Sequence, residues 1–409
     1  MAVTTPEAVA TPVARPRTYE QLEELFRGVD APFALVDLDA MWSNAAELLS
    51  RAAGKPIRVA SKSVRCRELQ RAVLEGPGYR GLMTFTLAES LWLQEHGFDD
   101  LLLAYPTADH GSLVQLSRLD TERPPIVMVD STEHLDLIAA GTAGGTRAVR
   151  VCIELDLSWW PVGGRVKIGV KRSPVRSPEQ ARALAAEIVS RPGFELAGLM
   201  GYEAHIAGLG DRPLGGRLQE PVIRFIKRRS ATEIAERRAA VVDAVRQVAP
   251  LELVNGGGTG SLHTTTTEDA VTELTAGSGL YAPTLFDRYA DFTLAPAAMF
   301  ALPVVRRPSG GVATLLGGGY HASGPAGRDR LPAPYLPAGL RLDPREGAGE
   351  VQTPVVGSAA AALRIGDRVY LRHAKAGELC ERFDRLFLLS AGEVVDEVPT
   401  YRGEGRCEL

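Results

Sequence analysis

Lys62 ends a short apolar run, Ile57-Arg58-Val59-Ala60-Ser61-Lys62-Ser63. An amine at a strand end, facing a partly dry cleft, can lose its proton and condense with a carbonyl. The plainer reading is a solvated surface lysine. A second group is Asn255-Gly256-Gly257-Gly258-Thr259-Gly260-Ser261. Three consecutive glycines leave backbone N–H groups open, and Thr and Ser add hydroxyls, so such a loop can wrap a phosphate. It is neither a Walker A sequence nor a G-x-G-x-x-G fingerprint, and a flexible turn is the alternative. Gly277-Ser278-Gly279-Leu280-Tyr281 offers more donors one strand later. A ligand with both an aldehyde and a phosphate would join Lys62 to these loops. Pyridoxal 5′-phosphate (PLP) is the natural candidate.

These groups need a scaffold that gathers strand ends. Short apolar runs at Ile57–Ser61, Gly81–Phe85, Leu101–Tyr105, Ile126–Asp130, Arg150–Leu157, Leu196–Tyr202, Leu251–Gly256 and Val271–Ala276 alternate with helical stretches. The helical stretches include Arg67–Glu75, Leu87–His96, Ser131–Ala140 and Pro178–Ser190. Alternation of this kind means parallel strands with right-handed crossovers. Eight units predict an α/β fold with a (β/α)8 TIM-type barrel, and an open doubly wound sheet is the alternative. The strand ends then bring Lys62, Thr84, Thr86, Tyr105, Asp130, Asp156, Tyr202, Glu203 and His205 to the face where such barrels work. Leu218–Val248 reads as an outer helix with an insertion. Past about Phe286 the texture turns to β pieces with Pro- and Gly-rich connections, a mostly antiparallel β domain. The expected division is 1–39 as a lead-in whose strand, Phe33–Leu38, joins that β domain, 40–285 as the barrel, and 286–409 as the β domain.

Composition bounds the partners. The 409 residues carry 46 basic and 50 acidic side chains, net −4, so no basic excess points to nucleic acid or an anionic membrane. Cys66, Cys152, Cys380 and Cys407 lack CxxC spacing, which fits a reducing cytosol. Met1–Arg17 does not read as a signal peptide and is expected to be partly disordered. No run of about 18 apolar residues predicts a membrane span.

Several stretches together carry a resemblance. They are Ala31–Asp39 (APFALVDLD), Val59–Ser63 (VASKS), Phe98–Pro106 (FDDLLLAYP), Gly198–His205 (GLMGYEAH), Val254–Thr259 (VNGGGT) and Thr272–Gly277 (TELTAG). In this order they resemble the fold-type III PLP enzymes, the alanine racemase-like barrels. Within that family the chain is most similar to the D-threonine aldolase and D-serine dehydratase branch, including amino acid deaminase/aldolase proteins. The resemblance covers most of the barrel and the β domain more loosely. It implies that Lys62 carries the Schiff base. It implies that Gly257, Gly258, Thr259, Gly277, Ser278, Gly279 and Tyr281 hold the phosphate, and that Tyr202 and His205 stand beside the cofactor ring. His205 has a plain alternative as a hydrogen-bonded structural residue.

Two departures stand out. Family members often set an arginine near the pyridine nitrogen, just before a Gly-Val pair. Here Lys167 precedes Ile168-Gly169-Val170, with Arg165 two residues earlier. The branch also holds a divalent metal (Mn, Mg or Zn) through a His-x-Asp or His-x-Cys pair. Here His373 is followed two residues on by Lys375, with Glu378 and Cys380 beyond. His373 and Cys380 are the candidate ligands. The alternatives are that His373 and Lys375 contact substrate carboxylate or phosphate, and that Cys380 is a core thiol.

The resemblance implies a cytoplasmic lyase acting on a small β-hydroxy-α-amino acid, of D configuration, by aldol cleavage through an external aldimine, with Lys62, His205 and His373 as catalytic groups. A dehydratase, an amino-acid racemase using Lys62 and a partner subunit's tyrosine, and a non-catalytic PLP carrier are the other readings. A homodimer is implied by the same analogy.

Overall fold

The computed structural model describes residues 15–212, 219–375 and 377–408. The expected lead-in, Met1–Arg17, lies outside these except for its last three residues. Strand β1 (Phe33–Asp37) comes first. Eight further strands follow: β2 (Ile57–Ala60), β3 (Tyr79–Thr84), β4 (Leu101–Leu103), β5 (Val127–Val129), β6 (Val149–Leu155), β7 (Phe194–Gly201), β8 (Leu253–Gly256) and β9 (Glu273–Ala276). They lie side by side in the order β4-β3-β2-β9-β8-β7-β6-β5. The remaining seam closes through a parallel bridge from Leu102 to Ile126. There Leu103 N–H donates to Ile126 O and Ile126 N–H donates to Leu101 O, each at 2.9 Å. The sheet is therefore a barrel and not an open doubly wound sheet.

The local causes are plain. β2, β4, β5 and β8 are buried along their whole length, as parallel strands covered on both faces must be. Helices start where polar caps follow the strands. Asp37 caps Leu38–Ala52, Thr86 caps Leu87–Glu95, and Ser131 caps Thr132–Gly141. The long outer helix runs Glu220–Arg246. Among the described residues, no helix is long and apolar enough to cross a membrane.

The second sheet holds β10 (Ala298–Ser309), β11 (Val312–Leu316), β12 (Ala333–Leu336), β13 (Leu340–Leu342), β14 (Gln352–Gly357), β15 (Arg368–Arg372), β16 (Arg385–Ser390) and β17 (Glu393–Pro399). β1 lies inside it, antiparallel to β10 and parallel to β16. One apolar cluster runs from β1 and β2 through Leu82, Phe300, Leu371 and Leu388, so barrel and β domain share a core.

Candidate active site

The Lys62 turn and the two glycine loops meet at one end of the barrel. Lys62 is exposed between buried Ser61 and Ser63. Its Nζ donates to the Tyr105 hydroxyl, from the end of β4, at 2.5 Å. Burial raises the Tyr105 hydroxyl, but the Lys62 charge, its hydrogen bond and Arg172 together outweigh that, and the net shift is below the ordinary value. The Ser63 and Ser278 hydroxyls lie 3.3 Å apart. A Cβ on Gly277 would come within 2.7 Å of Ala60 O, so only glycine lets these two loops touch. Gly279 N–H donates to Thr259 Oγ1 at 3.1 Å, which joins the loop after β8 to the loop after β9. The Tyr281 hydroxyl is turned to Val64 O at 2.9 Å and is fully buried, so it is spent within the core.

The loop after β8 is braced from beneath. Gly258 N–H donates to Ser261 Oγ at 3.0 Å, and Ser261 Oγ donates to Glu203 Oε1 at 2.8 Å. Thr265 also donates to Glu203. Arg238 reaches in from the outer helix and pairs with both Glu203 and Glu268, each at 2.8 Å. Both Arg238 and Glu203 are 1% exposed. A Cβ on Gly258 would lie 3.0 Å from the Tyr202 ring, so the loop runs flush against that tyrosine. Burial, then Glu203, pushes the Tyr202 hydroxyl up to about 12.

Arg172 is the residue that sequence reasoning missed. Its guanidinium stands 5.4 Å from the Tyr105 ring centre and 5.5 Å from that of Tyr202. Lys167 instead lies over Trp160 at 3.8 Å. The signal was an arginine just after Gly169-Val170 rather than before it. Beneath Arg172, burial pushes the Glu154 carboxyl up to about 7.

The β domain forms the roof. A cavity of about 260 Å³ is lined by Tyr320, His321, His373, Lys375, Glu378 and Arg382, among others. His373 is 4% exposed, and its buried ring nitrogens lie near the Ala298 backbone without a close hydrogen bond. Burial, then Arg372, pushes its imidazole down to about 3, so it is held neutral. His205, on the short helix Ala204–Ala207, is likewise buried with both nitrogens unpartnered, and burial lowers its proton affinity.

The residues present fit PLP. An accessible amine, a facing pair of glycine loops and a tyrosine wall stand together, and side chains larger than glycine would fill the cradle at Gly258 and Gly277. They do not fit a divalent metal. The Cys380 thiol is fully buried and donates to Val64 O at 3.3 Å, and Lys375 occupies the position two beyond His373. Among the described residues no three His, Cys, Asp or Glu side chains gather as a ligand set.

Comparison with known proteins agrees with this geometry. A 3-hydroxy-D-aspartate aldolase of Paracoccus denitrificans is 27% identical over 270 residues, 64% of this chain and 63% of that enzyme. The chain thus spans under two thirds of the length of the curated relatives it matches. The crystal structure of D-threonine aldolase from Filomicrobium marinum superposes with a TM-score of 0.74 at 20% identity, over 92% of this chain and 96% of that one. A D-threo-3-hydroxyaspartate dehydratase from a Delftia species gives 0.68 at 21% identity, over 91% and 98%. At such identities the two structures establish the fold. Residues 36–284, which include the Lys62 turn and both glycine loops, match the model of the alanine racemase N-terminal domain, and the chain belongs to that family.

Proposed function

We propose that this chain is a PLP-dependent lyase that breaks the Cα–Cβ bond of a β-hydroxy-α-amino acid of D configuration. The observation that carries the reading is the Lys62 amine at the barrel mouth, against Tyr105 and facing two loops that only glycine allows to meet. Lys62 would hold the cofactor aldehyde, and Gly257, Gly258, Thr259, Gly277, Ser278 and Gly279 its phosphate. When bound, PLP supplies an electron sink for the substrate α-carbon. Tyr202 and Arg172 bound the space for the ring, and Tyr105 keeps the Lys62 amine in place. His373 lines the cavity with an imidazole that stays neutral, and so adds no charge beside the substrate. His205 lies just past Tyr202, on the short helix Ala204–Ala207, at the same end of the barrel. The β domain over the cavity excludes water and sets the room for the substrate side chain. The D configuration and the β-hydroxyl are taken from the relatives' activities.

The dehydratase among the structural neighbours keeps a second reading in view, loss of the β-hydroxyl as water. One set of assays decides. Purified protein should absorb in the Schiff-base band, and borohydride should fix a pyridoxyl group on Lys62. D-Threonine and 3-hydroxy-D-aspartate should then release an aldehyde. Ammonia and a keto acid in place of aldehyde would mean a dehydratase. Racemisation in heavy water without either would mean a racemase. Colourless protein with no adduct on Lys62 would end the reading. A homodimer belongs to the same proposal, and sedimentation tests it.

A further inference from the structure

The metal pair implied by the resemblance is not built here, and the structure shows what stands in its place. Lys375 is half-buried in the wall of the roof cavity, which His373 also lines. Its Nζ is held by Ser323, 3.1 Å from the hydroxyl and 3.4 Å from the carbonyl. Ser323 is itself fixed, since its N–H donates to Glu378 Oε1 at 2.8 Å. Two residues on, Gly377 packs on the Lys62 carbonyl, and Lys62 stands near enough to repel the Lys375 charge. A lysine that only balanced Glu378 could sit at the open surface. This one stands in the cavity wall, two residues before the Gly377 contact with the Lys62 turn.

We propose that the Lys375 ammonium serves as the cation for the substrate's β-oxygen, so that this chain works without a divalent metal. The inference rests on the lyase reading above. In aldol cleavage the β-hydroxyl loses its proton to a base and the C=O bond forms as Cα–Cβ breaks. The bonding pair stays on Cα, which later takes up a proton. Negative charge gathers on the β-oxygen before the bond breaks, and a fixed ammonium beside it stabilises that charge. A metal would do the same by Lewis acidity. Lysine does it as a point charge and needs no ligand pair.

The test uses PLP-loaded protein, stripped with chelator and checked for metal content. Stripped wild-type protein should keep full turnover of D-threonine or 3-hydroxy-D-aspartate, and added Mn²⁺, Mg²⁺ or Zn²⁺ should not raise it. Lys375→Met should lower kcat about 100-fold while the cofactor spectrum stays unchanged. Lys375→Asp should create a Mn²⁺ site, seen as binding heat in calorimetry, where wild-type protein gives none. Loss of turnover on stripping with recovery on Mn²⁺ overturns the proposal, as does an unchanged kcat in Lys375→Met. If no substrate yields product, the lyase reading fails on its own. Calorimetry still decides this one, because Mn²⁺ binding to wild-type protein overturns it and binding only to Lys375→Asp upholds it.

Discussion

At the scale of single residues, the barrel mouth sets charged groups against burial. Lys62 and Arg172 bring two cations to a small space, answered by Tyr105 and by Glu154 below. Glu154 is 3% exposed, and burial lifts its carboxyl from an ordinary 4.5 to about 7, with Asp130 and Asp156 adding to the rise and Arg172 and His134 opposing it. The folded chain therefore holds this proton more tightly than the unfolded chain does. Its contribution to stability is whole below pH 4.5 and is lost as pH rises through 7. The difference is about 3 kcal/mol. Glu154→Gln removes the charge with little change of shape. Thermal melts should show the variant level with wild type at pH 5 and more stable than it at pH 8. Equal melting temperatures at pH 8 would mean that Arg172 already compensates the buried carboxylate.

At the scale of elements, the phosphate loop depends on a helix far away in sequence. Arg238, on Glu220–Arg246, is the cation that holds Glu203, and Glu203 holds the hydroxyls of Ser261 and Thr265 under Gly258. Arg238→Met leaves two buried carboxylates without their partner, a loss of about 3–5 kcal/mol. Urea unfolding should show that loss, and PLP titrated into the variant should bind more weakly than into wild type. Intact PLP affinity would show that the loop holds its shape unaided. None of this was legible in the sequence, because a pair 35 residues apart leaves no local pattern. The barrel was legible for the opposite reason: its strands are short apolar runs, and those from β3 to β6 are followed by helices with side-chain caps. Arg58 interrupts β2 without harm since Glu273 and Asp100 satisfy it from 215 and 42 residues away. β12 and β13 escaped notice because Pro- and Gly-rich stretches become strands there only by pairing with β15 and β14. The glycine loops and Lys62 could be read directly, whereas Arg172 could not, since its place follows from how the 159–172 loop folds back.

At the scale of the molecule, the β domain is seated on the barrel through a shared apolar core, and at two places the contact is made by backbone. β1 threads the second sheet and then feeds, through the Asp37 cap, directly into the first barrel helix. On the other side Gly377 lies on the Lys62 turn with φ +87, a region that side chains other than glycine rarely adopt. A Cβ there would overlap the Lys62 carbonyl oxygen and come 2.9 Å from its carbon. No flexible side chain stands in between to yield, so Gly377→Ala must lift the roof or distort the turn. Arg65 binds the same carbonyl at 3.1 Å and pairs with Glu381, which ties the turn to the roof a second time. If the roof lifts, the cavity opens to water while the amine and glycine loops stay in place. Gly377→Ala should therefore keep the borohydride-trapped adduct on Lys62 but lose most of kcat, and amides of the 373–380 segment should exchange faster with heavy water. Loss of the adduct along with kcat would place the damage in the Lys62 turn itself. An unchanged kcat would mean that closure over the barrel contributes little to the chemistry.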